Sequence, residues 1–276
     1  MNTTNNTVTV GNPNAGAQLI IDLTETDLPL GTPVYIYIVG LVSTTYYYID
    51  TNGNPQIMNT SDNTNAAGTF PGMSNLTQDA QNAIAVGYPL AWADYSIQVE
   101  VGSNLVMDLG NINTTTIPTL GTGTDAFSGR VYISVGVPKL PFTVQASGYT
   151  APVYGLGSGV TGSLSLYDWI EFSYDSDGNF NGNTTQVNQF GIPLMLTGTN
   201  NAGTTFPTQG TLNQSQTAIL SNIAANTSLF GGSSVVLPVP SAAAAAYPAG
   251  ISSLRAISPV TVSGAGTSMN TFFDAD

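Results

Sequence analysis

Hydrophobic and polar positions alternate in short runs along most of the chain, far more often with a period of two than of 3.6. Val34-Tyr35-Ile36-Tyr37-Ile38-Val39 is a β-branched and aromatic run, and Gly40 predicts its end. Leu41 to Asp50 predicts a second strand, closed by a turn whose Asn52-Gly53 pair is a hairpin signal. Ser96 to Val101 puts Ile97, Val99 and Val101 on one face, and Arg130 to Val137 sets Val131, Ile133 and Val135 against Tyr132, Ser134 and Gly136. Trp169 to Tyr174 and Thr185 to Leu196 predict two further strands. Pro and Gly recur between these runs, as the loops of an antiparallel sandwich or barrel require. Helical spacing is confined to two segments, Thr77 to Val86 and Asn213 to Asn226. In the second, Ala218, Ile219, Leu220, Ile223 and Ala224 form one apolar stripe. The Ala-rich run Ser241 to Ala246 is hemmed in by Pro238, Pro240 and Pro248, which leaves room for one or two turns.

Composition changes this picture mainly by exclusion. The chain has 276 residues, three Lys and Arg against sixteen Asp and Glu, and a net charge of −13. Arg130, Lys139 and Arg255 lie far apart in sequence, so no basic cluster exists to release counterions from phosphates or to hold an anionic membrane surface. No apolar run approaches the ~20 residues of a membrane-spanning helix, so neither nucleic acid nor membrane insertion is expected. Without His or Cys there is no Ser-His-Asp or Cys-His catalysis, no His- or Cys-built metal site and no disulfide. No metal or cofactor is expected. Charged residues are 7% of the chain against roughly 25% in ordinary soluble domains. Asn, Thr, Ser, Gln and Gly must then supply the polar surface, a composition read here as secreted and extracellular.

The same composition supports a non-catalytic extracellular structural or assembly subunit. Asn6-Thr7-Val8-Thr9-Val10 alternates like a strand and has no assigned partner. It is expected either to pair within its own chain or stay frayed, or to add to a neighbour's sheet edge, which makes self-assembly through the N-terminal strand the alternative function.

Of the three Glu residues, Glu171 stands out, because it interrupts the strand Tyr167-Asp168-Trp169-Ile170-Glu171-Phe172-Ser173-Tyr174. Period two puts Ile170, Phe172 and Tyr174 on the core face. Trp169, Glu171 and Ser173 share the other face, an aromatic beside a carboxyl group, as a sugar site would have. A hairpin centred on residues 175–183 sets Glu171 opposite Asn188. The same spacing also fits an exposed Glu hydrogen-bonded to an Asn. The loop's Asp175-x-Asp177-Gly178-Asn179-x-Asn181 places oxygens at alternate positions like a calcium loop, but no bidentate Glu follows, and turn formation accounts for these residues.

Tyr167 to Phe172, followed by Asn183-Thr184-Thr185-Gln186-Val187-Asn188-Gln189-Phe190-Gly191-Ile192-Pro193-Leu194, resembles glycoside hydrolase family 64. These are β-1,3-glucanases that release laminaripentaose, within the thaumatin-like superfamily. Ser128 to Ser134, Ser253 to Pro259 and Phe272 to Asp276 are similar to further family segments. The resemblance covers residues 20–276 and leaves 1–19 as an N-terminal extension. It implies a mainly β fold, a thaumatin-like antiparallel barrel or sandwich. A smaller mixed α/β part, around residues 200–250, would complete a groove between the two. It also implies β-1,3-glucan as ligand and inverting hydrolysis by two carboxyl groups. Glu171 matches the catalytic Glu. The family's Asp after Gln-Val is Asn188 here, and an amide orients water without accepting its proton. Tyr167, Trp169, Asn183, Thr185 and Gln186 are the implied rim. Asp175, in phase with Glu171, lies about 13 Å along an extended strand, beyond the ~6.5–9.5 Å of an inverting pair. Weak or absent hydrolysis is expected. The resemblance also implies residues beyond Asp276.

Overall fold

The computed structural model describes residues 6–10, 17–24, 26–66, 73–85, 88–150, 164–184, 188–200, 202–210, 214–227 and 235–258. Its strands run in chain order from β1 (Asn6–Val10), β2 (Gln18–Asp22), β3 (Pro33–Val42), β4 (Thr45–Ile49) and β5 (Pro55–Ile57) to β6 (Asn65–Ala66) and β7 (Ala91–Trp92). There follow β8 (Ile97–Glu100), β9 (Ser103–Asp108), β10 (Phe127–Val135), β11 (Thr143–Gln145), β12 (Gly148–Thr150) and β13 (Leu166–Tyr174). The last six are β14 (Phe180–Asn183), β15 (Gln189–Phe190), β16 (Met195–Leu196), β17 (Gln209–Gly210), β18 (Val236–Pro238) and β19 (Ser253–Ile257). Two α-helices join them, α1 (Gln78–Ala85) and α2 (Gln216–Ala225).

The apolar run at Val34 forms β3, inside the main sheet ordered β14-β13-β10-β3-β4-β5. Strand β3 is long enough to pair β10 on one side along most of its length. On the other side it is shared, β8 taking Pro33–Ile36 and β4 taking Val39–Val42. One sheet face carries Ile36, Ile38, Val131, Ile133, Ile170 and Phe172. It packs with Val10, Leu19, Ile21, Leu105 and Met107 of a second sheet, β1-β9-β2, into the principal core. The opposite face carries Tyr35, Tyr37, Val39, Tyr132, Tyr167 and Trp169, buried with Tyr95, Leu140, Phe142 and Val144 in an aromatic cluster. The fold is mainly β, built of layered sheets, and no sheet closes into a barrel among the described residues.

Several expectations meet corrections here. Gly40 does not end a strand. It lies inside β3 opposite Gly129 of β10, and the Phe127 ring lies across both glycines where a Cβ on either would overlap it. Of the strand expected over 185–196, the described residues 188–196 form two: Gly191 and Pro193 separate β15, which pairs β19, from β16, which pairs β17. The N-terminal strand finds a partner in its own chain, running parallel to β9 from Asn6↔Ser103 to Val10↔Met107. The expected helices form at α1 and α2, the latter capped by Ser215, whose Oγ accepts from the Ala218 N–H at 3.2 Å. Gln216 ties α2 to β19 through Nε2 donating to the Ser253 carbonyl at 2.8 Å. The Ala-rich run is a short 3-10 helix.

Candidate functional site

Strand registers on the aromatic face build two cross-strand rows. Asn183, Glu171, Arg130, Val39 and Tyr48 stand side by side on β14, β13, β10, β3 and β4. One step closer to the strand ends lie Asn181, Ser173, Ser128, Leu41 and Tyr46. The rows beyond Val39, with Tyr37, Tyr132 and Trp169, are buried in the aromatic cluster. At the uncovered end of the face a groove of about 490 Å³ opens over both rows. Arg130, Glu171, Asn183, Ser173, Tyr46 and Tyr149 are among its lining residues.

Glu171 is the only carboxylate among the described residues lining this groove. Arg130 donates to its Oε1 from Nε at 3.0 Å and from Nη2 at 2.7 Å. Nη1 donates to the Tyr132 hydroxyl at 3.3 Å, and the guanidinium lies 5.2 Å from the centre of the Trp169 ring. Burial works against the Arg130 charge, but the Tyr132 and Glu171 oxygens outweigh it and raise its pKa. Burial raises the Tyr132 phenol, with Arg130 pulling the other way. The floor is otherwise neutral. Tyr46 and Tyr149 meet edge to face at 5.4 Å and wall one end.

The model of the glycoside hydrolase family 64 β-1,3-glucanases matches residues 18–275. The chain belongs to this family. Among solved family 64 structures, a laminaripentaose-producing β-1,3-glucanase from Paenibacillus barengoltzii complexed with laminarihexaose has a TM-score of 0.57 and 20% identity, covering 90% of this chain and 49% of that one. A laminaripentaose-producing β-1,3-glucanase in complex with laminaritetraose has a TM-score of 0.55 and 19% identity, covering 92% and 55%. A family 64 domain from Clostridium beijerinckii has a TM-score of 0.50 and 21% identity, covering 81% and 50%. The chain thus spans about half the length of these family 64 structures. No curated protein matches it.

The family 64 motif residues are distributed unevenly around the groove. Glu171 and Asn183 line it and face each other across β13 and β14. The expected register, with Glu171 opposite Asn188, is corrected by five residues. Asp175 closes a tight turn, accepting from the Asp177 N–H at 3.0 Å and the Asn179 N–H at 2.9 Å, so the return strand starts at Phe180. These bonds, led by the Asn179 side chain, lower the Asp175 pKa and commit the carboxylate to the turn. Asn188 is not among the groove-lining residues; its carbonyl accepts from Ser258 N–H at 3.0 Å beside β15. Tyr167 and Trp169 are not rim residues: they are 0% and 6% exposed, beneath the covering aromatic cluster. Thr185 and Gln186 lie outside the described residues.

Sequence reasoning overlooked Arg130, which it treated only as an isolated cation, although alternation already put it in phase with Tyr132. It also overlooked Asp168, fully buried, whose Oδ2 accepts from the Gly191 N–H at 2.8 Å and whose Oδ1 accepts from the Trp169 N–H at 2.9 Å. Gln189 reinforces this attachment, donating to the Tyr167 carbonyl at 3.0 Å and accepting from Arg255 at 3.4 Å. The segment after Asn188 is thereby fixed to the strand that carries Glu171. A buried Asp at a strand position leaves no periodic signature, because its partners are backbone groups far along the chain.

Proposed function

We propose that the protein binds β-1,3-glucan in the groove containing Glu171, Arg130 and Asn183, and that it hydrolyses this polymer weakly or not at all. The observation that carries the reading is a groove floored by hydroxyls, amides and aromatic rings, whose one carboxylate among the described residues is paired with a cation. In a chain of net charge −13, a locally neutral groove suits a neutral polyol. The family membership and the laminarioligosaccharides held by two structural relatives support the same ligand class. Inverting hydrolysis needs a second carboxyl group roughly 6.5–9.5 Å from the first. Glu171 is assigned the acid role and Asn188 the position of the base on the family motif alone, since the Asn188 side chain is not among those lining the groove. An amide there forfeits about 10²–10⁴ in rate. The cation-poor, amide-rich composition supports a secreted, extracellular protein.

Affinity electrophoresis through gels containing laminarin or curdlan tests binding. Retardation of the wild-type chain, reduced in Asn183→Ala, is expected. Migration equal to that of an inert protein overturns the reading. Laminarin hydrolysis beside Asn188→Asp tests the chemistry: the variant should gain about 10²–10⁴ in rate. Strong hydrolysis by the unmodified chain contradicts the role given to position 188.

A further inference from the structure

We propose that Tyr46 and Tyr149 form an aromatic subsite at the end of the groove remote from Asn181, so that the glucan runs across the strands and affinity rises with chain length. The inference rests on the reading that the groove takes β-1,3-glucan. It begins with the row Asn181, Ser173, Ser128, Leu41 and Tyr46, which crosses five strands on one face. Adjacent strands lie about 4.7–4.9 Å apart, so the row spans roughly 19 Å from Asn181 to Tyr46. Its middle presents two hydroxyls and no charge, which lets a neutral polymer pass Glu171 without displacing an ion pair.

The end of the row is built differently from its middle. Tyr46 comes from the main sheet and Tyr149 from the β11–β12 hairpin docked against it, and the rings meet at 88°. Gly148 makes the docking possible. Its φ of +138° is open to glycine, and a Cβ there would lie 2.7 Å from Tyr46 Cε2. The Tyr46 ring therefore rests against backbone, held from the side by Tyr149, while both side chains remain partly exposed and line the groove. A fixed ring at the border of an aqueous groove offers an apolar surface for the C–H face of a pyranose, and its hydroxyl offers a polar edge. The deeper aromatic residues of this face are buried, so this pair is the aromatic surface that a ligand in the groove reaches among the described residues.

Isothermal titration with laminaribiose and laminarihexaose, on the wild-type chain and on Tyr46→Ala and Tyr46→Phe, tests the proposal. Circular dichroism and thermal melting confirm that each variant is folded. Wild type should bind the hexaose more tightly than the biose. Tyr46→Ala should weaken the hexaose about tenfold, the loss expected for one partly exposed aromatic contact, and leave the biose unchanged. Tyr46→Phe should keep the hexaose affinity to within about threefold, because the ring remains. Unchanged hexaose affinity in Tyr46→Ala overturns the subsite and leaves the glucan groove standing. Equal loss for both sugars also overturns it, by moving Tyr46 into the part of the groove that the short sugar occupies. Failure of the wild-type chain to bind either sugar removes the glucan reading and the subsite together.

Discussion

Replacing Arg130 and Glu171 singly and together measures how firmly the groove carboxylate is latched. Two unit charges about 4 Å apart attract by about 4 kcal/mol at an effective dielectric of about 20. Here the side chains are 34% and 42% exposed, so solvent screens most of that attraction. Exposed pairs retain at most about 1 kcal/mol, and two N–H groups converging on Oε1 place this pair near the upper end. Arg130→Met also loses the contact with Trp169, about 0.5–1 kcal/mol, and the hydrogen bond to Tyr132, about 0.5–1.5 kcal/mol. The single variant should therefore lose about 2 kcal/mol, or about 4–8 °C in Tm. Glu171→Gln should lose about 1 kcal/mol. Urea unfolding of the four species closes the cycle, with an expected coupling of about 1 kcal/mol that shrinks in 1 M salt, where the screening length falls to about 3 Å. A coupling below about 0.3 kcal/mol, the scatter of independent sites, refutes the latch and assigns the effect of Arg130→Met to its contacts with Tyr132 and Trp169.

Asp168→Ala removes the carboxylate that accepts from the Gly191 N–H and should cost about 1–3 kcal/mol in urea unfolding; a loss under about 1 kcal/mol contradicts the attachment described above. Gly40→Ala should cost about 1–3 kcal/mol by driving a methyl group into the Phe127 ring, and Phe127→Leu in the same chain should restore part of it; an unaffected Tm for Gly40→Ala removes the argument. Alkaline pH should unfold the protein cooperatively. Burial raises Tyr37, Tyr88 and Tyr132 above the ordinary value of 10.0, and raises Tyr167 to about 12. Between those values the unfolded chain releases protons that the folded one retains, so stability falls as pH rises from about 10. Tyrosinate absorbance and far-ultraviolet circular dichroism should change together, and full tyrosine titration with an unchanged circular dichroism spectrum would refute the burial argument.

Local alternation made the β13 faces readable: Ile170, Phe172 and Tyr174 enter the principal core as their phase requires, and Glu171 stands on the opposite face. The apolar stripe Ala218, Ile219, Leu220, Ile223 and Ala224 likewise marked α2. The register after β13 was not readable, because a chain of Asp, Asn and Gly fits a nine-residue loop as well as a tight turn. The choice is made by the Asp175 carboxylate folding over the Asn179 amide. Gly40 misled for the opposite reason. Its local signal is a break, whereas its role is set by Gly129 and Phe127, almost ninety residues away. The burial of Tyr167 and Trp169 depended on the 140–150 segment covering their face, a contact between distant parts of the chain that alternation within β13 does not encode.

The three basic side chains are all fixtures of the interior or of an ion pair. Arg130 sits mid-strand against Glu171, Lys139 is held by Asp94 at 2.7 Å and Ser96 at 3.0 Å beneath the Tyr35 ring, and Arg255 is fully buried in β19. Proteases that cut after Lys or Arg need the flanking backbone drawn out into an extended, accessible loop, and none of these positions supplies one. Tryptic cleavage of this chain therefore counts openings of β10, of β19 and of the buried segment that carries Lys139 rather than surface nicks.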